Sequence, residues 1–342
     1  MKLICIEEHA IDRPIAQAAR PVLQCEAPYI GLQSSPDAIP ETPPADRPSL
    51  VEFSEAVKLA DDLGDGRIRH MDEHGIDMQI VSYSSPIQLV PQEEAVTIAR
   101  AANDRLAAAV AANPSRLRGF AALPWQNPHA AVDELDRATG ELGLRGVMLA
   151  GRPGETFLDD GRYAPVLQRL NDLGLPLYLH PFYPLPQVQQ AYYAGFRPEV
   201  SAMFSLGGWG WHHEAGIHVL RLILSGVFER YRDLQVISGH WGEMVPFYLQ
   251  RLDDLLPPKL TGLSTTITDT YRNHVWVTPS GMFNEPHFEF IRAVIGIDRL
   301  IWSVDYPYLS LDGTRKFLDN LPVSEDKAHQ LAHRNAERLF RL

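Results

Sequence analysis

Short apolar runs alternate with longer stretches of helical period along most of the chain. The first run, Leu3-Ile4-Cys5-Ile6, closes in Glu7-Glu8-His9 and reads as a buried strand with a polar end. Further runs at residues 78–83, 118–124, 146–150, 175–180, 234–240, 275–278 and 300–304 also read as strands. Between them, apolar positions at helical spacing predict helices over 50–74, 93–112, 128–142, 163–173, 214–231, 243–255 and 286–295. Gly75, Gly143 and Gly174 stop three of these, and Ser324 is placed to cap a helix near the C-terminal end. Strands alternating with helices at this length predict a (β/α)8 TIM barrel as one domain over 1–342. A doubly wound nucleotide-binding sheet would need a glycine-rich turn after the first strand. Glu7-Glu8-His9-Ala10 is no such turn, and neither GxGxxG nor GxxxxGK[ST] occurs.

One stretch breaks the pattern. Residues 20–49 hold Pro36, Pro40, Pro43, Pro44 and Pro48 with few periodic apolar positions. They read as a structureless insertion: a lid, a binding loop or an oligomer arm on one side, a plain surface excursion on the other.

Composition narrows the function classes. With 31 basic against 43 acidic residues the net charge is -12, and no Lys/Arg cluster stands out, which argues against nucleic acid as a partner. Cys5 and Cys25 form no CxxC pair, which excludes a disulfide scaffold and suits a reducing cytoplasm. Cys5, inside the first strand, reads as a small buried apolar group. The first apolar run is too short for a signal peptide and no later run is long enough to span a membrane, so a soluble cytoplasmic protein is expected.

The chemistry of a barrel gathers at the C-terminal ends of its strands. Strand one ends in Glu7 and His9, which share a face because successive side chains alternate. Strand five ends in His180-Pro181, strand six in Gly239-His240-Trp241-Gly242-Glu243, and strand eight in Asp305-Tyr306-Pro307-Tyr308. Folded together, these ends set two imidazoles and two carboxylates around a divalent ion, with another His and Glu beside it. Singly, each has an ordinary structural explanation: His180 at a barrel end, Asp305 as a helix cap, His240 as a core hydrogen-bond partner. Jointly they do not, since burying such groups unpaired costs on the order of a few kcal/mol each.

Two other motifs are set aside. His213-Glu214-Ala215-Gly216-Ile217-His218 resembles HExxH with one residue too many, and five residues place the two His roughly 140° apart on a helix. It reads as the start of a helix after a substrate loop holding Trp209, Trp211 and His212, with Gly216 weakening that helix. No GxSxG elbow occurs, so a serine hydrolase has no support.

The strand-end motifs Glu7-Glu8-His9-Ala10, His180-Pro181, Gly239-His240-Trp241-Gly242-Glu243 and Asp305-Tyr306-Pro307-Tyr308 resemble those of the metal-dependent decarboxylases of the amidohydrolase superfamily. That group includes the γ-resorcylate, 2,3-dihydroxybenzoate and 5-carboxyvanillate decarboxylases. The likeness extends over 66–82, 101–151, 219–253 and 335–340 and leaves out 20–49 and about 183–210. It implies a distorted (β/α)8 barrel holding one divalent metal, Mn2+ or Zn2+, on Glu7, His9, His180 and Asp305. The Glu-x-His form of the first motif and the Tyr-Pro-Tyr after Asp305 point to the hydroxybenzoate branch.

The implied reaction is the non-oxidative decarboxylation of a small aromatic carboxylate with an ortho hydroxyl, part of aromatic acid catabolism. Direct loss of CO2 would leave an unstabilised aryl anion, so the ring carbon must be protonated first. Asp305 is the acid, and His240 with Glu243 tunes the phenolic proton. Arg251 lies about 12 Å beyond Glu243 along a helix. It is a substrate-carboxylate contact by resemblance, in reach of a neighbouring subunit in a homodimer or homotetramer. Tyr308 is the second substrate contact. The competing class is a hydrolase of a lactone or ring-cleavage product, with Asp305 as base toward water.

Overall fold

Seven parallel strands form two ladders in the computed structural model, which describes residues 1–30 and 39–342. The first ladder is β1 (Ile4–Ala10), β2 (Met78–Tyr83) and β3 (Leu117–Gly119). The second is β4 (Val147–Ala150), β5 (Leu177–His180), β6 (Val236–Ser238) and β7 (Val275–Val277). Two seams join them into a distorted barrel. At one, Ala121 bridges Val147 and its N–H donates to the Gly146 carbonyl at 2.8 Å. Glycine is required there: a Cβ on Gly119 would stand 2.7 Å from Leu106, and one on Gly146 2.9 Å from the Pro176 carbonyl. At the other, residues 300–304 occupy the eighth position through single bonds rather than a continuous ladder. Ile301 N–H donates to Val277 O at 3.0 Å, and Ile6 N–H to Trp302 O at 3.2 Å.

The barrel interior holds Ile4, Ile6, Phe120, Tyr178, Ile237 and Trp276, and the last helix (Asn335–Phe340) adds Ala336, Leu339 and Phe340 to that cluster. Helices cover the outside over a second, larger apolar layer that includes Cys5. Among them are α1 (Arg13–Glu26), α2 (Phe53–Ala60), α3 (Asp65–Glu73), α4 (Gln92–Ala112), α5 (Pro128–Gly140) and α6 (Ala164–Leu173). Their starts follow local chemistry. Asp12 and Asn127 accept the Ile15 and Ala130 amides as N-caps, with a proline in each first turn.

Several elements differ from the pattern-based expectation. The helix expected over 50–74 is two, α2 and α3, because Asp62 turns back to accept the Gly64 N–H at 2.7 Å. The helix expected over 214–231 begins at Gly210, ends at Leu224 and breaks at Gly226, whose φ is 70°. The one expected from Glu243 begins at Val245. The proline-rich stretch is not structureless throughout, since residues 20–26 belong to α1. Pro36 lies outside the described residues. The end of the stretch clasps the eighth strand position: Ser310 N–H donates to Ser49 O, and Val51 N–H to Tyr308 O, both at 2.9 Å. Among the described residues, no helix is long and apolar enough to cross a membrane.

Candidate metal centre and active site

The first strand owes its polar end to a register shift. Ile4 and Cys5 pair with Met78 and Gln79, but Glu8 and His9 pair with Val81 and Ser82, so one extra residue is accommodated at Ile6-Glu7. Strict alternation from Ile4 and Ile6 would aim Glu8 into the barrel. The bulge aims Glu7 and His9 inward instead. Glu8 turns outward, accepting the Val304 N–H at 3.0 Å and facing Gln79, which in turn accepts from the buried Arg67.

Glu7 is fully buried and its two oxygens live differently. Oε2 accepts hydroxyl donors from Tyr178, Ser280 and, at 3.1 Å, Thr278. Oε1 has no hydrogen-bond partner and stands 3.4 Å from His180 Nε2. His180 gives its Nδ1–H to the Pro181 carbonyl at 2.8 Å, which leaves Nε2 as a lone pair. His9 has Nδ1 3.1 Å from Ser82 Oγ, and its Nε2 stands 3.1 Å from Asp305 Oδ1 without hydrogen-bond alignment. Glu7 Oε1, His9 Nε2, His180 Nε2 and Asp305 Oδ1 are thus all buried and without hydrogen bonds. These four residues converge, with one ligand atom each, to within 4.8 Å of one another. Buried polar atoms in need of a partner, oriented by outer hydrogen bonds, are what a divalent ion fits.

Asp305 reaches this point through a left-handed backbone (φ 76°), with its N–H donated to Glu7 O at 3.0 Å. Its Oδ2 lies 3.9 Å from His240 Nε2. His240 Nδ1 and His212 Nδ1 each stand 2.8 Å from Glu243, on Oε1 and Oε2 respectively, and their rings meet edge to face at 4.4 Å. Tyr308 packs against His9 at 5.7 Å between centroids and is held by Ser84 at 2.7 Å, with Phe53 stacked behind it.

A family model described as amidohydrolase matches residues 57–342. The chain belongs to the amidohydrolase family. It is 34% identical over 294 residues to γ-resorcylate decarboxylase of Polaromonas sp., covering 82% of this chain and 88% of that one. Two solved structures are similar along its whole length. A dihydroxybenzoic acid decarboxylase from Polaromonas sp., with manganese and the inhibitor 2-nitroresorcinol, is 30% identical with a TM-score of 0.81, and 97% of it is covered. A 5-carboxyvanillate decarboxylase from Novosphingobium aromaticivorans, with manganese and 4-hydroxy-3-methoxy-5-nitrobenzoic acid, is 28% identical with a TM-score of 0.87, and 96% of it is covered.

Electrostatics in this amidohydrolase site follow from burial. Burial pushes the Glu7 carboxyl well above the usual range, with Asp305 and Glu243 adding to it against His240. Burial, then the His9 ring, depresses His180 to about 3, keeping the ring neutral. Burial opposes charge on His240, but Glu243, through charge and hydrogen bond, with Glu7 and Asp305 behind it, pushes that ring up to about 9. Burial likewise works against the Glu243 carboxylate, yet His240 and His212 hold it below its ordinary value. A bound dication would compensate Glu7 and Asp305 together.

The strand-end residues Glu7, His9, His180, His240, Glu243 and Asp305 come together as expected, with Tyr308 at their edge. Arg251 does not join them. It is exposed on the helix Val245–Leu255, and among the described residues no acid pairs with it. His212 is the residue that motif spacing does not assign to the cluster. Its signals are its place in the expected substrate loop and Glu243, whose two oxygens need more than one donor. His213 and His218 share no ligand cluster: His213 stacks on Trp209, while buried His218 accepts the Leu158 N–H at 3.1 Å. Gly216 between them admits the backbone of Glu243, since a Cβ there would lie 2.6 Å from its carbonyl oxygen.

Proposed function

We propose that this amidohydrolase is a divalent-metal-dependent carboxy-lyase that removes CO2, without an oxidant, from an ortho-hydroxylated aromatic carboxylate. The observation that carries the reading is the set of four unpartnered ligand atoms beside the His240–Glu243–His212 relay. Glu7, His9, His180 and Asp305 would hold the ion, which when bound supplies Lewis acidity toward a carboxylate and its neighbouring phenolic oxygen. A mixed oxygen and imidazole donor set suits Mn2+ first, as in the manganese-bound relatives, and Zn2+ second.

The chain's own residues move the proton. Glu243 holds His240 protonated, and His240 Nε2 faces Asp305 Oδ2. The proton passes to Oδ2 and from there to the ring carbon that bears the carboxylate. The bond to the carboxyl carbon then breaks, its electron pair returns to the ring, and CO2 departs. Tyr308 lines the ring's edge, fixed by Ser84. The His240–Glu243 pair favours the lyase over the hydrolytic alternative modestly, and the decarboxylase relatives favour it further.

Arg251 shares its helix with the exposed Phe247, Tyr248 and Leu255. We assign this face to a second copy of the chain in a homodimer or homotetramer, with Arg251 approaching the partner's substrate. Sedimentation at a single-chain mass would contradict that. Free Cys25 at the surface fits the cytoplasm.

The test is CO2 release by Mn2+-loaded protein from a panel of ortho-hydroxybenzoates beginning with 2,6-dihydroxybenzoate. Release from at least one member, falling by about a thousandfold in Asp305→Asn, is expected. No release from any member, with metal bound stoichiometrically, would sink the proposal.

A further inference from the structure

Away from the barrel mouth, α3 carries another gathering of metal-ligating side chains. His70, Glu73 and His74 each offer one ligand atom, and these atoms lie within 4.8 Å of one another. A spacing of three residues puts His70 and Glu73 on one face of α3, and His74, its C-cap residue, follows beside them. Opposite them, in the segment beyond Tyr308, Asp312 sets Oδ1 3.1 Å from His74 Nε2. We propose that His70, Glu73 and His74 form a second divalent-metal site, suited to a Zn2+-like ion and separate from the barrel-mouth centre, with Asp312 beside His74.

His74 makes the strongest case. Its Nδ1 stands 2.8 Å from the His70 carbonyl oxygen and its Nε2 faces the Asp312 carboxylate, so both ring nitrogens meet acceptors. A neutral imidazole has a single N–H to give. With that proton donated to the carbonyl, the neutral ring presents Nε2 as a lone pair toward Asp312, where a metal ion would take the place of the second proton of an imidazolium. An Nδ1–H on a backbone carbonyl is also the usual outer support of a metal-bound histidine.

His70 fits the same scheme. Its Nδ1 lies 3.1 Å from Tyr306 Oη, and with its N–H given there Nε2 is free. The two rings meet edge to face at 4.6 Å, so neither blocks the other. Two imidazoles and one carboxylate, with water in a fourth position, make a donor set typical of zinc.

The group is open to solvent. An open depression of about 380 Å³, lined in part by Glu73, His74 and Leu311, leads to the group. Arg315 and Lys316 line it too, and the Arg315 guanidinium is committed to the Gly75 and Met1 carbonyls and to Asp77. An ion here would tie α3 to the chain beyond Tyr308. It would also reach the residue next to Asp305 through the His70–Tyr306 contact.

The test is metal counting on protein first loaded with Mn2+ and then equilibrated with excess Zn2+. Two metals per chain are expected in the wild type and one in His70→Gln/His74→Gln. Co2+ in place of Zn2+ should give the intense visible bands of a tetrahedral site in the wild type and not in the double variant. One metal per chain in the wild type, or two in the double variant, overturns the proposal. Should the double variant not fold, Asp312→Asn at an exposed position serves instead. It is expected to weaken the second ion's binding about tenfold or more, and unchanged affinity would overturn the site.

Discussion

Glu7 divides its carboxylate between two tasks: Oε2 is saturated by three hydroxyls while Oε1 is left bare toward His180. The hydroxyls fix the orientation, so the bare oxygen is available without rearrangement. Glu7→Gln keeps the shape but puts an amide where a negative ligand is needed. Metal affinity, measured by competition with a chelator, should fall by about a hundredfold or more. An unchanged affinity would remove Glu7 from the ligand set. At this scale much was legible in the sequence. Polar residues at the ends of four apolar runs announce Glu7, His9, His180, His240, Glu243 and Asp305. What does not show is the support: Tyr178 and Thr278 look like ordinary strand residues, Ser280 like a loop residue, and His212 is hidden beside the HExxH look-alike. Their roles depend on which atoms meet in three dimensions, and no spacing rule encodes that.

The element that decides the geometry is the turn after β6. His240, Trp241, Gly242, Glu243 and Met244 all have positive φ, between 46° and 81°. Four of them are not glycine, at a cost of about 1–2 kcal/mol each. The turn is held by Trp241 N–H on Thr278 O at 2.8 Å, by Gly242 N–H on Gly239 O at 2.6 Å and by the two histidines on Glu243. Only Gly239 and Gly242 hint at it in sequence, so a regular helix from Glu243 was the natural expectation. Gly216 belongs to the same arrangement. Helix propensity alone would make Gly216→Ala stabilising by about 1 kcal/mol. The 2.6 Å approach of the Glu243 carbonyl argues the opposite, since overpacking of this kind costs about 1–3 kcal/mol. Net destabilisation in denaturant melts, with a lower kcat as Glu243 is displaced, is therefore expected. A stabilised and fully active variant would show that the contact is slack.

Across the whole molecule, the alternation of apolar runs and helical stretches announced the barrel. The two seams were not legible, because they reflect how closely backbones approach at Gly119 and Gly146 and at the irregular eighth position. Stability of the whole fold carries a pH signature from His218, buried behind the barrel wall. Burial depresses it from 6.5 to about 3, so between those values the unfolded chain takes up a proton that the folded chain refuses. The stability contribution is therefore full above the unfolded value and is lost as pH falls, at about 1.4 kcal/mol per pH unit for a single group. His218→Gln retains an acceptor for Leu158 without titrating, and its stability should fall less steeply from pH 6.5 downward in urea titrations. Identical slopes would contradict the assignment. The central claim concerns proton delivery to a ring carbon with loss of CO2, and one measurement meets it directly. The Mn2+-loaded protein is turned over anaerobically in D2O with an ortho-hydroxybenzoate that it accepts. The account predicts one CO2 per phenol formed and one deuterium at the vacated carbon. Substrate consumed without CO2, or product with no deuterium there, would contradict it.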